Sequence, residues 1–214
     1  MIFKEDFLAP LLDASIDESL FAIGSKMESF EGTFEKGANI AKFKFGYFWV
    51  KSKNVDKLSP TIYIGTHGVF RRKMFLEIGG FDEVYSPFYS EDLDLCYRAW
   101  KKGLKVFVEP HSVIYHKHMA TINKFFEKGY ILRINARNHF IFIWKNLTST
   151  NLIFKHIAFL PFLLIGAVFV GKSYYILGFI DALKLLVEGK IHRLGKNDIY
   201  FSDEEILKMF REYW

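Results

Sequence analysis

The chain has 214 residues, of which half are hydrophobic and 18% aromatic, a composition that excludes an intrinsically disordered protein and allows one domain with appended helices. Its formal charge of +5 lies entirely in residues 121–214, because residues 1–120 carry 16 basic and 16 acidic side chains. This distribution argues against a nucleic-acid partner and suits an anionic membrane surface. A single cysteine, Cys96, excludes an intrachain disulfide and a cysteine-based zinc site.

The first part of the chain is predicted to alternate short helices and strands, because apolar residues recur at helical spacing or in compact runs of strand length. In chain order the prediction is a helix over residues 7–19, a strand over 20–27, a long and partly extended loop over 28–60, a strand over 61–69 and a helix over 72–78 ended by Gly79-Gly80.

The best-marked element is a helix over residues 91–102. Ser90 is its predicted N-cap, acidic residues fill its first turn and Gly103 ends it. The apolar residues predicted to form its buried face are Leu93, Cys96, Tyr97 and Trp100. Two extended segments follow, a strand over 105–109 closed by Pro110 and a second over 112–118. These elements predict an α/β layer over residues 1–119.

Residues 120–214 are predicted to form a helical, membrane-associating region. A basic amphipathic helix covers 123–146, and residues 157–171 contain no charge. Extending the segment to residue 180 adds only one charge, Lys172. The segment therefore fits a kinked spanning helix, a re-entrant pair or an interfacial hairpin, and interfacial or shallow insertion is favoured over a true span. A final helix over 202–214 begins with a capping box formed by Ser202 and Glu205.

The most informative block runs from residue 67 to residue 118. It contains Gly-Gly-Phe-Asp-Glu at 79–83, Glu-Asp-Leu-Asp-Leu-Cys at 91–96 and, after these, Arg98, Gly103, Pro110 and His116. In combination these motifs resemble the acceptor half of inverting family 2 glycosyltransferases of the GT-A type, especially the rhamnosyl- and galactofuranosyltransferase-like members. The resemblance implies an incomplete GT-A, Rossmann-like acceptor half followed by membrane-associated helices.

The resemblance also implies roles for individual residues. Asp92 matches the catalytic base, and Glu91 beside it would contact the acceptor or tune that charge. His116 matches a histidine that completes a metal site for Mn²⁺ or Mg²⁺ in some members. The residues expected to bind the acceptor are Arg71, Arg72 and His67. The implied partners are a nucleotide-sugar donor, a glycan or lipid-linked acceptor and the cytoplasmic face of the cell membrane.

Each of these residues also has an explanation without catalysis. Acidic residues after a capping serine are ordinary at a helix start, and His67 and His118 fit structural roles. Gly79-Gly80 is expected to serve backbone geometry, and Arg98 to pair with an acid on its own helix. For Arg137 and Asn138, a solvated helix face is favoured over a place along the acceptor path.

The family's nucleotide-binding half has no counterpart in this sequence. In the resemblance, an Asp-x-Asp metal motif lies just upstream of the segment similar to residues 2–8. We therefore expect a fragment or one half of a split enzyme that is inactive alone. The alternatives are a catalytically inactive remnant and a membrane-surface interaction protein.

Overall fold

The computed structural model describes residues 2–3, 6–65, 67–115, 122–193, 195 and 199–213. The strands are β1 (Ile2–Phe3), β2 (Leu20–Glu28), β3 (Phe34–Lys36), β4 (Ala38–Lys44), β5 (Tyr47–Lys53), β6 (Ser59–Pro60), β7 (Gly68–Phe70) and β8 (Lys105–Tyr115). The α-helices are α1 (Leu8–Ala14), α2 (Arg72–Glu77), α3 (Glu91–Lys101), α4 (Ile122–Phe125), α5 (Lys128–Asn146), α6 (Thr150–Phe169), α7 (Ser173–Val187) and α8 (Asp203–Met209).

Two long parallel strands, β2 and β8, form the centre of a six-stranded sheet. The short strands β7 and β3 pair with β2, whereas β6 and β1 pair with β8. Residues 20–25 of β2 are all buried, because helix α1 contacts the sheet through one apolar cluster and α3 through the main core. The predicted mixed α/β class is confirmed.

Two predicted strands have different limits in the structure. Residues 105–115 form one strand rather than two, and Pro110 lies where the register with β2 shifts between Ser25 and Lys26. A proline is tolerated there because the irregular step removes the ladder hydrogen bond that it cannot donate. Residues 61–65 lie outside the strands, and of the predicted strand over 61–69 only Gly68 and Val69, among the described residues, lie in a strand, β7.

The loop predicted over residues 28–60 is wrong for most of its length, because β4 and β5 form an antiparallel hairpin there. Its two-residue turn, Phe45-Gly46, has positive φ at both positions (54° and 71°), the geometry of a tight hairpin turn that matches strand twist. The hairpin end packs on the C-terminal helices. The Tyr47 ring stacks on His139 with ring centroids 3.8 Å apart, and the Gly46 carbonyl lies 2.7 Å from His156 Nδ1.

Helix α5 joins the two predicted regions in one hydrophobic core. Its residues Phe140 and Phe142 are fully buried, and Phe142 contacts Phe48 of the hairpin and Tyr97 of α3. The division of the chain at residue 119 stays a prediction, but the two sides of it share this core.

Residues 157–180, for which a kinked spanning helix, a re-entrant pair and an interfacial hairpin were considered, lie in two helices, α6 and α7. They are separated by a turn at Gly171, which has φ of 67°. In the part of the chain that the structure describes, only α6 is long and apolar enough to cross a bilayer, with mean hydropathy 2.1. Much of its apolar surface faces outward, and Phe154, Phe162 and Phe169 are 70–86% exposed.

The last helix, α8, docks on α3 through a buried ion pair. Its predicted capping box is present, with Ser202 and Glu205 bonding each other's backbone N–H groups. Asp203 lies 2.6 Å from the Lys101 ammonium, and both side chains are fully buried. Asp203 also accepts a hydrogen bond from the Tyr97 hydroxyl and from two backbone N–H groups at the start of α6.

Candidate active site

The candidate site lies at the first turn of α3, where two acidic residues follow a turn of unusual backbone conformation. Tyr89 and Ser90 both have positive φ, at 73° and 72°. This conformation costs a residue other than glycine roughly 1–2 kcal/mol, so the surrounding contacts must stabilise it. Ser90 occupies the predicted N-cap position, but its side chain makes no capping hydrogen bond. The next two residues are Glu91 and Asp92.

Asp92 is partly buried and lies close to Gly65 and His67. A Cβ atom placed on Gly65 would lie 2.9 Å from the His67 ring and 3.8 Å from Asp92 Oδ2, so ring and carboxylate approach the same point. Burial and the charge of Glu91 raise the pKa of Asp92 to about 7, against the opposing effects of the Leu93 N–H group and Lys36. A carboxylate with this pKa suits proton transfer near neutral pH.

Glu91 and Tyr63 are two further polar residues that interact electrostatically with Asp92. One carboxylate oxygen of Glu91, Oε2, is buried and has no hydrogen-bond partner among the described residues. Burial, and after it the charges of neighbours that include Asp92 and Glu91, raises the pKa of the Tyr63 phenol. The phenol is therefore a neutral donor and acceptor at physiological pH. An unpartnered buried oxygen costs free energy that a hydroxyl donor from a ligand would recover.

Asp94 serves the fold and not the site, although it forms an Asp-x-Asp sequence with Asp92. It is fully buried, and it accepts a 2.8 Å bond from Arg98 Nε, which confirms the ion pair predicted for Arg98. It also accepts bonds from the Tyr85 hydroxyl and from Lys145 and Asn146 of α5. All these donors engage Asp94 inside the core, so it cannot also serve as an open metal ligand.

The glycine motif before the site has the structural role predicted for it. Gly79 and Gly80 have φ of 90° and 63°, which ends α2 and makes the tight turn. The Arg98 guanidinium donates to the carbonyl oxygens of Ile78 and Gly80. Asp82 caps the following 3-10 turn and pairs with Lys145 at 2.6 Å. This motif and the acidic motif are thus held against α5 by the same side chains.

Helix α5 supplies the residues that fix the turn before Glu91. Asn138 is fully buried, and its Nδ2 group donates to the carbonyl oxygens of Tyr85, Phe88 and Tyr89, each at 2.8 Å. Arg137 is half-buried and donates to Asn138 Oδ1 at 2.9 Å and to the carbonyl oxygen of Ser86. The predicted solvated helix face is therefore wrong for these two residues, because their side chains pair with loop carbonyl oxygens that would otherwise lack donors.

A sequence signal for this contact exists. Arg137-Asn138 and Lys145-Asn146 are two basic-asparagine pairs eight residues apart. Helix positions i, i+7 and i+8 share one broad face, so the two pairs lie on one face of α5. Four polar residues on one face of a helix whose other residues are largely apolar indicate buried partners rather than solvent.

The three residues predicted to bind the acceptor do not lie together in the structure. His67 is buried beside Asp92, as described above. Arg71 instead donates to the carbonyl oxygens of Leu20, Ser15 and Asp17, and so it ties the α1–β2 connection to α2. Arg72 is exposed at the start of α2. An acceptor contact by Arg71 or Arg72 stays a prediction.

The metal ion expected from the resemblance lacks a ligand set among the described residues. No three His, Cys, Asp or Glu side chains within residues 2–3, 6–65, 67–115, 122–193, 195 and 199–213 lie close enough to hold an ion. His116, the predicted ligand, lies outside these residues, as does His118. The described residues therefore do not by themselves fit Mn²⁺ or Mg²⁺.

Comparison with known proteins gives one family and a distant structural likeness. The model of the glycosyl transferase family group 2 matches residues 38–180, more than half of the chain and including β4, α3 and α5. The structure of GalNAc-T7 with UDP, GalNAc and Mn²⁺ is similar over 66% of this chain, at 15% sequence identity and a TM-score of 0.48. The similar region spans 29% of the length of that protein. No curated protein matches the chain.

Proposed function

The chain belongs to the glycosyl transferase family group 2, a family of the transferase class, and from this premise we propose that it transfers a sugar from a nucleotide-sugar to a glycan or lipid-linked acceptor with inversion. The observation that carries the proposal is the Asp92 carboxylate at the start of α3, with its pKa raised to about 7 beside Glu91. The rhamnosyl- or galactofuranosyltransferase-like type belongs to the same proposal and is supported by the motifs at 79–83 and 91–96.

In the proposed reaction Asp92 is the general base. Its carboxylate takes the proton of an acceptor hydroxyl as the hydroxyl oxygen bonds to the anomeric carbon. The bond from that carbon to the nucleoside diphosphate breaks, and the leaving group departs with the electron pair. Attack from the opposite side inverts the configuration. Asp92 then releases its proton to water, which a pKa near 7 permits without a strong base.

The neighbours of Asp92 can orient the acceptor. Glu91 Oε2 lacks a partner among the described residues, so an acceptor hydroxyl that donates to it would satisfy a buried oxygen. Tyr63 interacts electrostatically with Asp92, and the His67 ring approaches the same point beside Gly65 as the Asp92 carboxylate. Fixing the acceptor oxygen against the base converts an encounter into an intramolecular proton transfer.

The donor site forms a separate part of the proposal. The resemblance assigns base and ribose contacts to strands that precede a segment similar to residues 2–8. We propose that a longer form of this protein or a second chain supplies them. Intact-mass measurement of the native protein distinguishes the two, because a longer chain exceeds 25.1 kDa whereas a split enzyme co-purifies with a second polypeptide.

Membrane association is also proposed, on the cytoplasmic face of the cell membrane. The exposed apolar surfaces of α6 and α7 support it, as do the basic residues within or next to these helices, which are Lys155, Lys172, Lys184 and Lys190. Such association would hold the protein at the surface in which a lipid-linked acceptor lies. Flotation with anionic vesicles tests this part, and protein that stays at the bottom of the gradient contradicts it.

The central experiment compares Asp92→Asn with Glu83→Gln in the complete protein. Nucleoside diphosphate release is measured with a panel of nucleotide-sugars and a membrane extract as acceptor source. Loss of a general base lowers kcat by about 10²–10⁴-fold, so Asp92→Asn should lose transfer. Glu83→Gln changes an exposed carboxylate in the adjacent turn and should retain it. Full transfer by Asp92→Asn would refute the role of Asp92 as base.

A second candidate is a membrane-surface interaction protein without catalysis. The outward-facing apolar residues of α6 favour it, because they would serve docking whether or not the site is active. In that case wild-type protein would bind vesicles but release no nucleoside diphosphate, and Asp92→Asn would leave vesicle binding unchanged.

A further inference from the structure

The backbone that presents Glu91 and Asp92 is not one that its own sequence favours. Tyr89 and Ser90 are consecutive left-handed residues, and neither is glycine. Two such residues in sequence are unfavourable, and the Ser90 side chain makes no capping bond that would offset this. Some external contact must therefore hold the turn.

Asn138 provides that contact. One amide group satisfies three carbonyl oxygens of the turn, those of Tyr85, Phe88 and Tyr89, so one of its two hydrogens is shared. Arg137 Nε donates to Asn138 Oδ1 and so fixes which end of the amide faces the turn. A buried carbonyl without a donor is costly, so all three bonds oppose relaxation of the turn.

Helix α5 also holds α3 itself in place. Lys145 and Asn146 lie about two helical turns after Asn138, and both donate hydrogen bonds to Asp94, which follows Asp92 by two residues. Helix α5 thus holds the turn before the acidic pair and the helix after it. With both ends fixed, the directions of the Glu91 and Asp92 side chains follow from the position of α5.

We infer that Asn138 is a positioning residue that keeps the Tyr89-Ser90 turn left-handed and thereby directs Asp92 toward the acceptor. This inference rests on the proposed function of Asp92 as base. Asparagine is specific to the task. An aspartate would present oxygen to three carbonyl oxygens, and a glutamine would add a methylene group at a fully buried position.

The experiment uses Asn138→Ala and Asn138→Asp in the complete protein, with Asn135→Ala as the matched control. Asn135 lies three residues earlier on the same helix and is exposed. Three quantities are measured: kcat and KM for nucleoside diphosphate release, the pH dependence of kcat/KM, and amide hydrogen exchange in peptides covering residues 85–93. If Asn138→Ala fails to fold, Asn138→Ala with Ser90→Gly is used, because glycine adopts the left-handed conformation without strain.

We expect Asn138→Ala to lower kcat roughly 100-fold with little change in the KM for the donor, the effect of misplacing a reacting group by about 1 Å. The acidic limb of the pH profile should move to lower pH as the relaxed turn exposes Asp92 to water, and exchange over 85–93 should rise. The Ser90→Gly double variant should recover part of the lost kcat, and Asn135→Ala should match wild type in all three quantities.

The results that overturn the inference differ from those that overturn the proposed function. Faster exchange over 85–93 with unchanged kcat and pH profile in Asn138→Ala would show that Asn138 stabilises the fold without positioning the base. Unchanged exchange would show that it does not hold the turn. Full activity in Asp92→Asn, in contrast, would overturn the assignment of the base itself.

Discussion

Asp92→Asn should stabilise the protein, by an amount that depends on pH. Burial and the Glu91 charge raise the pKa of Asp92 from 3.8 to about 7 in the folded state. Folding therefore favours the protonated carboxyl, and this contribution to stability is complete below pH 3.8 and is lost as pH rises through about 7. One pKa unit corresponds to about 1.4 kcal/mol, so ionisation inside the fold costs about 4 kcal/mol at pH 8. Asparagine, which is never charged, avoids this cost.

The assay is urea unfolding in detergent at several pH values from 4 to 8, followed by the fluorescence of the four tryptophans. The unfolding free energy of Asp92→Asn minus that of wild type should rise between pH 4 and pH 8 toward about 4 kcal/mol. Asp13→Asn, at an exposed position on α1, is the matched control and should show no comparable rise. A difference between Asp92→Asn and wild type that stays flat over this range would refute the argument that Asp92 is ionised at a cost.

Three further predictions concern the packing that supports the site. Asp203→Ala leaves the Lys101 ammonium buried without its partner and should cost about 3–5 kcal/mol in urea unfolding; a loss below about 1 kcal/mol would mean that water reaches the ammonium. Gly46→Ala places a methyl group 2.7 Å from Phe159 Cβ at a position with φ of 71°, so the unfolding free energy should fall by about 1–3 kcal/mol. An unchanged midpoint of urea unfolding would show that the hairpin end does not contact α6. Gly178→Leu places a side chain where even a Cβ atom would lie 2.7 Å from the Arg133 carbonyl oxygen, so α7 should separate from α5 and become sensitive to protease. Protease resistance equal to that of wild type would contradict this close crossing of the two helices.

Predictions from local patterns succeeded where neighbouring residues alone fix the structure. Helix α3 begins at Glu91 as predicted, and its apolar residues Leu93, Cys96 and Trp100 are buried, because helical period and end residues are local properties. The capping box at Ser202 was predicted for the same reason. The hairpin β4–β5 was missed because its turn residue Phe45 adopts a left-handed conformation that its residue type disfavours.

The candidate site was predicted in part. The acidic pair and His67 were identified from motif and resemblance, and the structure brings His67 to the side of Asp92. Arg71 was placed in the same group because it lies nearby in sequence, but its guanidinium binds backbone carbonyls of the α1–β2 connection. Sequence distance along an irregular segment does not specify the direction of a long, flexible side chain, so this assignment needed the fold.

The sequence by itself determined the α/β class, the limits of α3, the glycine turn before it and the acidic pair, since these depend on residue type, period and spacing over a few residues. Only the tertiary structure decided the conformation of the Tyr89-Ser90 turn, the burial of Asn138 and the raised pKa of Asp92. Each of these arises from groups about fifty residues apart or from the exclusion of water by several elements at once. Such effects depend on the summed packing of α3, α5 and residues 61–65 and 67, which no local pattern of residues contains.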